Sequence, residues 1–183
     1  MKPVMHLDKK ELRSIKNYIL NGLFYSLYSL VKNLSFPLSN NLRYVCLVLF
    51  GAKIHSTAIG EGVTVFCPWD LKIGCHTTIG ARCTLTAFGG LTIGSDVRIA
   101  PNVMILTTDH EYEDANTLIR DQGFKWAPIE IGNDVWLGAN IVILKGVRIA
   151  DGVVIGANST VTDDIQPYSI AIGSPCKVVG KRE

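Results

Sequence analysis

His110 stands among carboxylates in the segment VMILTTDHEYEDANTLIRDQGFKWAPIEIG, which covers residues 103–132. Asp109 and Glu111 flank it directly. An imidazole takes up and releases a proton near neutral pH, so histidine is the usual general base for activating a hydroxyl group. A neighbouring acceptor is needed to hold such a base in its working orientation. The cluster therefore predicts proton-transfer chemistry, with Asp109, Glu111 or a backbone carbonyl orienting the His110 ring.

A six-residue apolar repeat runs on both sides of this cluster and stops at it. After the cluster, aliphatic residues recur six apart at Ile131, Leu137, Ile143, Ile149, Ile155 and Val161. Before it, the same spacing occurs in three shorter runs, at Ile59 and Val65, at Ile73, Ile79 and Leu85, and at Ile93, Ile99 and Ile105. The shifts between these runs require insertions near residues 68–70 and 89–90.

The spacing of six predicts a parallel β-helix. Amphipathic helices repeat apolar residues every three or four positions, and half-buried strands every second position. A hexapeptide period is typical of a solenoid whose units each form a short strand and a turn, with three units to a triangular coil. We expect this all-β domain over residues 51–175, with a protruding loop at 111–128 and a C-terminal tail at 176–183. Loops of that length are usually functional, and we interpret this one as the acceptor-side wall.

Residues 1–50 lack the repeat and form a separate N-terminal segment. We expect residues 11–50 to form mainly helices that cap the first coil, because an open ladder needs a cover. Within this segment, the stretch NYILNGLFYSLYSLVKNL is too short and too interrupted by polar residues for a confident membrane span. Its apolar side either packs on the main domain or a neighbouring subunit, or lies on the inner membrane's surface.

Composition excludes several classes of protein. The 183 residues carry a net charge of +2, which does not suggest nucleic-acid binding. The five cysteines form no C-x-x-C pair, which favours a reducing compartment and argues against disulfides or a structural metal. No cleavable signal pattern is present. We therefore expect a cytoplasmic protein that needs no metal and binds no nucleic acid.

Three stretches resemble a known family. IEIGNDVWLGANIVILKGVRIADGVVIGANSTVTDDIQPYSIAIGSPCKVV resembles the C-terminal half of hexapeptide-repeat acetyltransferases. NLRYVCLVLFGAKI and VFCPWDLKIG are similar to the colanic-acid-biosynthesis and polysaccharide O-acetyltransferase branch. The resemblance covers roughly residue 36 to the end. It implies a left-handed β-helix, a homotrimer, acetyl-CoA as acetyl donor, and a carbohydrate acceptor in exopolysaccharide, capsule or lipid-linked oligosaccharide biosynthesis.

The same resemblance implies roles for single residues. His110 is the implied general base, and a small side chain at two positions would let the pantetheine arm approach closely. The implied cofactor-binding residues are Trp136, Ala139, Ala157 and Lys177. In the loop, the aromatic residues suited to stacking on a sugar are Tyr112, Phe124 and Trp126. Lys145 and Arg148 are looser candidates for contacts with the phosphates of coenzyme A.

The sequence also departs from the family pattern. Galactoside and maltose enzymes carry an asparagine and an aspartate for the acceptor in the coil before the histidine. The corresponding stretch IGARCTLTAFGG has neither, so a simple galactoside or maltose acceptor is not indicated. Asp163 occupies a position where the family frequently has lysine, which removes one candidate phosphate contact.

Three other functions compete with sugar O-acetylation. Acetylation of an amino-sugar nitrogen or another small acceptor would use the same base and donor. A zinc hydratase of the γ-class carbonic anhydrase type needs three histidines, two of them close in sequence, and no second histidine follows His110 within such reach. A non-catalytic docking scaffold would have no use for His110, Trp136 and the ending SPCKVV.

Overall fold

Short parallel strands stacked on three faces make up most of the fold in the computed structural model, which describes residues 9–183 and side chains from residue 19 onward. Face A contains β1 (Lys53–Ile54), β4 (Leu71–Ile73), β7 (Leu91–Ile93), β12 (Ile129–Ile131) and β15 (Arg148–Ile149). Face B contains β2 (Ala58–Ile59), β5 (Thr78–Ile79), β8 (Arg98–Ile99), β13 (Trp136–Leu137), β16 (Val154–Ile155), β18 (Ser169–Ile172) and β19 (Lys177–Lys181). Face C contains β3 (Thr64–Phe66), β6 (Thr84–Thr86), β9 (Met104–Leu106), β14 (Val142–Ile143) and β17 (Thr160–Val161).

The chain visits faces A, B and C in turn, so three strands complete one coil of a triangular prism. Through the first four coils, each strand pairs in parallel with the strand one coil later on the same face, as β1 does with β4 and β3 with β6. The predicted parallel β-helix of hexapeptide repeats is therefore confirmed. Its left-handed sense stays a prediction.

The leaders of the six-residue repeat form the interior of the prism. On each face they stack into one continuous row, because the pairing register places leader against leader. The rows are Ile54, Ile73, Ile93, Ile131 and Ile149 on face A, Ile59, Ile79, Ile99, Leu137 and Ile155 on face B, and Val65, Leu85, Ile105, Ile143 and Val161 on face C. All are buried, so removal of aliphatic surface from water is the main force that holds the coils together.

Both predicted insertions lie at corners of the prism. A 3-10 turn at Pro68–Asp70 separates the first coil from the second. A turn at residues 88–90 separates the second coil from the third. Extra residues at a corner extend the turn without disturbing the ladders, which explains why the repeat resumes after each shift.

Stacked asparagines form the corner between faces B and C, which we call the asparagine corner (Asn102, Asn140 and Asn158). Their φ angles are +62°, +58° and +60°, a left-handed conformation that asparagine tolerates well. Each amide donates to the next through Nδ2···Oδ1 contacts of 3.1 Å. At the same corner, a Cβ on Gly138 would lie 2.6 Å from the Ala157 nitrogen, so the coils approach closely here. The corner is therefore rigid and tightly stacked.

Two helices, α1 (Lys9–Lys32) and α2 (Ser39–Leu49), precede the first coil, as expected for the N-terminal segment. Phe24 and Tyr28 of α1 stack with ring centroids 5.0 Å apart and are fully buried. Residues 1–8 of the predicted segment lie outside the described part of the chain. In the described helices, none is both long and apolar enough to cross a membrane.

These helices supply hydrogen-bond partners to the open ladder of the first coil. Arg43 Nε donates to the Ile59 carbonyl at 2.8 Å, and the Ile59 N–H donates to Asn40 Oδ1 at 2.5 Å. Tyr44 Oη donates to the Ile54 carbonyl at 3.1 Å. Buried backbone polar groups need such partners, and the first coil has no earlier strand to provide them. The expected capping role of the N-terminal segment thus agrees with these contacts.

The C-terminal region 176–183, a tail in the sequence interpretation, contains a strand. β19 pairs antiparallel with β18 at the edge of face B. The reversal follows a turn at residues 173–176. The chain therefore ends by covering the last coil of that face.

Candidate active site

His110 lies on a two-stranded hairpin that leaves the prism after face C of the third coil. β10 (Thr108–His110) pairs antiparallel with β11 (Phe124–Trp126), and His110 stands opposite Phe124. We call the span 108–126 the His110 hairpin. Sequence reasoning predicted a loop at 111–128, and the structure instead has a paired stem that starts earlier and carries the histidine on its strand.

One side of the hairpin presents aromatic rings beside the imidazole. Because side chains alternate between the two sides of a strand, His110, Phe124 and Trp126 share one side, and Asp109 and Lys125 share the other. The ring centroids of His110 and Phe124 are 4.4 Å apart. Phe124 and Trp126 are 55% and 53% exposed. The structure therefore brings the candidate base together with two of the three predicted sugar-stacking residues.

A buried threonine fixes the base of the hairpin. Thr107 is fully buried, and its hydroxyl donates to the Thr86 carbonyl at 2.9 Å. Its N–H donates to Thr86 Oγ1 at 2.8 Å, and its carbonyl accepts the Ala127 N–H at 3.1 Å. Thr107 thus ties both ends of the hairpin to Thr86 on β6 of the second coil.

The outer part of the hairpin is braced internally. α3 (Ile119–Gln122) lies there, and Gln122 Nε2 donates to the carbonyls of Asp114 and Thr117 at 2.9 and 2.7 Å. Lys125 pairs with Glu113, and this hydrogen bond lowers the pKa of the Glu113 carboxyl. Predicted sugar-stacking Tyr112 is exposed next to this pair. The loop is therefore a folded projection with its own contacts.

The predicted orienting carboxylates do not contact the imidazole within one chain. Asp109 Oδ1 accepts the backbone N–H of His110 at 2.9 Å, and Oδ2 lies 3.1 Å from Lys145 Nζ. The Glu111 backbone N–H donates to the Gly123 carbonyl at 3.1 Å. Among the described residues, neither carboxylate forms an ion pair with the His110 ring. The orienting acceptor of His110 therefore stays a prediction.

Ala139 and Ala157, two of the candidate cofactor-binding residues, lie at the asparagine corner on successive coils. The Asn158 N–H donates to the Ala139 carbonyl at 2.9 Å, which places Ala157 one coil after Ala139. The side chain of Ala157 is exposed and that of Ala139 is half-buried. Their own N–H groups donate to no acceptor in the described part of the chain. Fixed donors beside small side chains suit the carbonyl oxygens of an extended amide-bearing ligand.

The other two candidates lie near this corner on face B and at the C-terminus. Trp136 is 56% exposed on β13, between Arg98 and Val154 of the neighbouring strands. Lys177 begins β19, and its Nζ lies 3.7 Å from Asp163 Oδ2. Asp163, the acidic residue that departs from the expected lysine, thus lies beside the candidate phosphate contact Lys177.

Within one chain the candidate base and the candidate cofactor residues lie at different edges of the prism. The His110 hairpin leaves the edge between faces C and A, whereas Ala139 and Ala157 lie on the asparagine corner between faces B and C. The width of face C separates them. A complete site therefore needs either a second chain or a ligand that crosses face C.

Thr107 and Lys145 contribute contacts that the sequence interpretation did not assign. The motif T-x-x-H contains Thr107, so its spacing from His110 was a usable signal. Lys145, a looser candidate for phosphate binding, instead pairs with Asp109. These residues are 36 positions apart, and no local pattern links them.

In the described residues, no group of three or more His, Cys, Asp or Glu side chains is arranged to hold a metal ion.

Family models match two parts of the chain. Residues 128–163 match the bacterial transferase hexapeptide model of six repeats. Residues 70–107 match the hexapeptide repeat of succinyl-transferase. Both matches fall on the coils and together leave out the N-terminal helices and the His110 hairpin.

Curated relatives are acetyltransferases. Galactoside O-acetyltransferase of Escherichia coli K12 is 41% identical over 128 residues, which cover 66% of this chain and 62% of that protein. A putative acetyltransferase of Staphylococcus aureus strain COL is 43% identical over 114 residues, or 62% of this chain and 56% of that protein. The chain thus spans only somewhat more than half the length of these relatives.

Solved structures extend the likeness to nearly the whole chain. A maltose O-acetyltransferase from Clostridium difficile 630 superposes with a TM-score of 0.80 and 28% identity, covering 92% of this chain and 89% of that one. A galactoside acetyltransferase in complex with coenzyme A gives 0.77 and 29% identity, covering 97% and 84%.

Proposed function

Because this chain belongs to the hexapeptide-repeat acetyltransferase family, we propose that it transfers an acetyl group from acetyl-CoA to a sugar hydroxyl. The observation that carries the proposal is the exposed imidazole of His110, which lies against the Phe124 ring and on the same side of the projecting hairpin as Trp126. A base and a stacking surface on the same side of one element suit a carbohydrate acceptor. In line with the resemblance to the polysaccharide branch, we propose a precursor of exopolysaccharide, capsule or lipid-linked oligosaccharide as that acceptor.

In this mechanism His110 removes the proton of the acceptor hydroxyl as its oxygen attacks the acetyl carbonyl carbon. The thioester carbon–sulfur bond then breaks, and the imidazole returns the proton to the departing thiol. The N–H groups of Ala139 and Ala157, which have no acceptor among the described residues, are candidate donors to the pantetheine amides and to the developing oxyanion. Trp136 would line the cleft, and Lys177 would meet a phosphate of coenzyme A.

The chemical test distinguishes an oxygen acceptor from a nitrogen acceptor. Purified protein is given labelled acetyl-CoA with a panel of sugars, amino sugars and nucleotide sugars, and the label retained on the acceptor is measured. Mild alkali removes an acetyl ester but leaves an acetamide. Alkali-labile label on a sugar is the expected result. Alkali-stable label would favour the N-acetyltransferase alternative, and no transfer to any acceptor would contradict the proposal.

We also propose that the active unit is a homotrimer with face C at its centre. The outward row of face C is uncharged and consists of Thr64, Thr84, Met104, Val142 and Thr160. The corresponding row of face A consists of Lys53, Lys72, Thr92, Glu130 and Arg148. A charged face suits solvent, whereas an uncharged face can be buried without unpaired charges.

A trimer of this kind would complete the site. When three prisms turn face C toward a three-fold axis, the edge between faces C and A of one subunit lies beside the edge between faces B and C of the next. The His110 hairpin of one subunit would then stand beside the asparagine corner of the next. This arrangement would close the separation that exists within a single chain.

Subunit mixing tests the shared site directly. His110→Ala removes the base, and Ala157→Phe fills the exposed cofactor position; each variant alone should be inactive. After the two are unfolded together and refolded, random trimers should regain about one quarter of the parent activity, because a quarter of the sites combine two intact halves. A site contained in one chain would regain none. Sedimentation of an active monomer would contradict the trimer itself.

A last part of the proposal concerns location, on the cytoplasmic surface of the inner membrane. Both N-terminal helices expose a second apolar side, which consists of Ile19, Leu23, Leu27 and Leu30 on α1 and Leu42, Val45 and Leu49 on α2. The first half of α1 contains Lys9, Lys10, Arg13 and Lys16 against Glu11. Exposed apolar stripes with adjacent basic residues are typical of helices that lie on anionic lipid.

Because the helices also cap the first coil, substitutions are a better test than truncation. Leu23→Asn with Leu27→Asn should abolish flotation with phosphatidylglycerol vesicles and leave the fold intact. Ile172→Asn, which changes an exposed apolar residue at the other end of the prism, serves as the matched control. If the parent does not float, and the double variant instead changes the sedimentation coefficient, the stripes are covered by another copy of the chain.

A further inference from the structure

We propose that Lys145 and Asp109 act together as positioning residues that hold the His110 hairpin in its working place. This inference rests on the proposed function, because it takes His110 as the base. It differs from the roles that the sequence suggested, in which Asp109 orients the imidazole and Lys145 binds a phosphate.

The contacts of Asp109 point away from a role on the ring. Its side chain leaves the strand on the side opposite to the His110 side chain, because neighbours on a strand alternate. One carboxylate oxygen accepts the backbone N–H of His110 at 2.9 Å, and the other lies 3.1 Å from Lys145 Nζ. Asp109 therefore links the main chain of the base residue to a cation elsewhere in the molecule.

That cation belongs to the rigid part of the fold. Lys145 lies in the turn between β14 and β15, in the coil after the one from which the hairpin leaves. Its side chain is 27% exposed, compared with 46% for Lys125 and 69% for Lys177 in their ion pairs. A less exposed pair is less screened by solvent and salt. Of these three ion pairs, Lys145–Asp109 is therefore the one least weakened by solvent.

Little else holds the hairpin against the prism. In the described residues, Lys145–Asp109 is the only hydrogen bond or ion pair that joins the span 108–126 to the coils of the prism. The remaining bonds of the hairpin are internal, as in Glu113–Lys125, or lie at its base on Thr107. Without the pair, the hairpin could swing about its base. A shift of about 1 Å at a reacting group can reduce turnover roughly 100-fold.

The kinetic test separates positioning from cofactor binding. Lys145→Met keeps the length of the side chain and removes its charge, and we expect kcat to fall roughly 10- to 100-fold with an unchanged KM for acetyl-CoA. Asp109→Asn should have a similar effect, and the double variant should be no worse than either single one, because both remove the same link. Lys145→Arg should restore most of the activity. Lys72→Met, on the charged outer side of face A, is the matched control and should behave as the parent does.

A second readout does not depend on catalysis. Hydrogen exchange of peptides covering the span 108–112 should be faster in Lys145→Met than in the parent and in Lys72→Met, because the hairpin opens more often. If the parent transfers no acetyl group but exchange in the variant is faster, the proposed function fails and the structural link stands. A raised KM for acetyl-CoA with normal kcat and normal exchange would make Lys145 a cofactor ligand and overturn the proposal. Unchanged kinetics and exchange would overturn it as well.

Discussion

The interior rows of the prism and the His110 hairpin are held by different kinds of interaction. Each interior leader lies against an equivalent in a neighbouring coil, so the same aliphatic contact recurs from coil to coil. The hairpin depends on single contacts that occur once, at Thr107, at Lys145–Asp109 and at Lys125–Glu113. Repetition makes the prism a stable support, whereas single contacts can be changed one at a time, which under the proposed function would let the hairpin be shaped for one acceptor. Changes in the first region should therefore alter stability, and changes in the second should alter activity.

The largest expected effect falls on activity alone. His110→Ala should lower kcat roughly 10²- to 10⁴-fold, the usual contribution of a positioned base, which corresponds to about 2.7–5.5 kcal/mol of barrier. Unfolding in urea should match the parent, because His110 fills no interior row. His55→Ala, at an exposed turn of the first coil, is the control, and normal turnover in His110→Ala with the true acceptor would remove the proposed mechanism.

The converse change belongs in the interior. Ile143→Ala should lower the free energy of unfolding by about 2–5 kcal/mol, because it leaves a cavity in a fully buried row. Activity per folded molecule should stay near that of the parent below the unfolding transition. Urea unfolding followed by circular dichroism, alongside the acetyl-transfer assay, measures both. A stable but inactive variant would break the contrast between the two regions.

A smaller loss of stability is expected at the N-terminal cap. The cap is buried, as the interior rows are, but it depends on single hydrogen bonds, as the hairpin does. Arg43 is buried and donates to the carbonyls of Ile59 and Leu34 at 2.8 Å each. Arg43→Met leaves these acceptors without a donor, and we expect a loss of about 1–3 kcal/mol. Lys53→Met, at an exposed position on the first coil, should change stability by less than about 0.5 kcal/mol. Equal stability of the Arg43→Met and Lys53→Met variants would mean that water replaces the lost donor.

The smallest expected effect depends on pH. Burial raises the pKa of the Cys67 thiol to about 11, and its contact with Asn21 of α1 only partly offsets this. An unfolded chain releases that proton nearer its ordinary value of 9.0. Stability from the neutral thiol is therefore present below about pH 9 and is lost as pH rises from there toward 11. Urea midpoints at pH 8 and pH 10 should fall further for the parent than for Cys67→Ala, and equal falls would contradict the assignment.

The sequence predicted the repetitive region far better than the projecting one. The spacing of six from Ile131 to Val161 is visible directly in the sequence, so the coils and the two corner insertions could be predicted. The helical cap could be predicted because its segment lacks this repeat. The stem of the hairpin could not, because TDH and FKW pair across 13 intervening residues with no turn dipeptide to mark them. Lys145 was assigned to a phosphate because its partner lies outside any local pattern. The prism edge on which each candidate site residue lies depends on every insertion that precedes it in the chain. Motifs considered one at a time do not contain that information.

The capped ends of the prism have a consequence for self-association. A parallel solenoid presents the same ladder at its last coil as at every other, so two uncapped molecules could join end to end and continue as a fibre. Arg43, Asn40 and Tyr44 occupy the ladder groups at the first coil, and β19 covers one face at the last. The side chains that satisfy the first coil thus also limit polymer growth. A cap variant that merely lowers stability at low concentration should form filaments when concentrated.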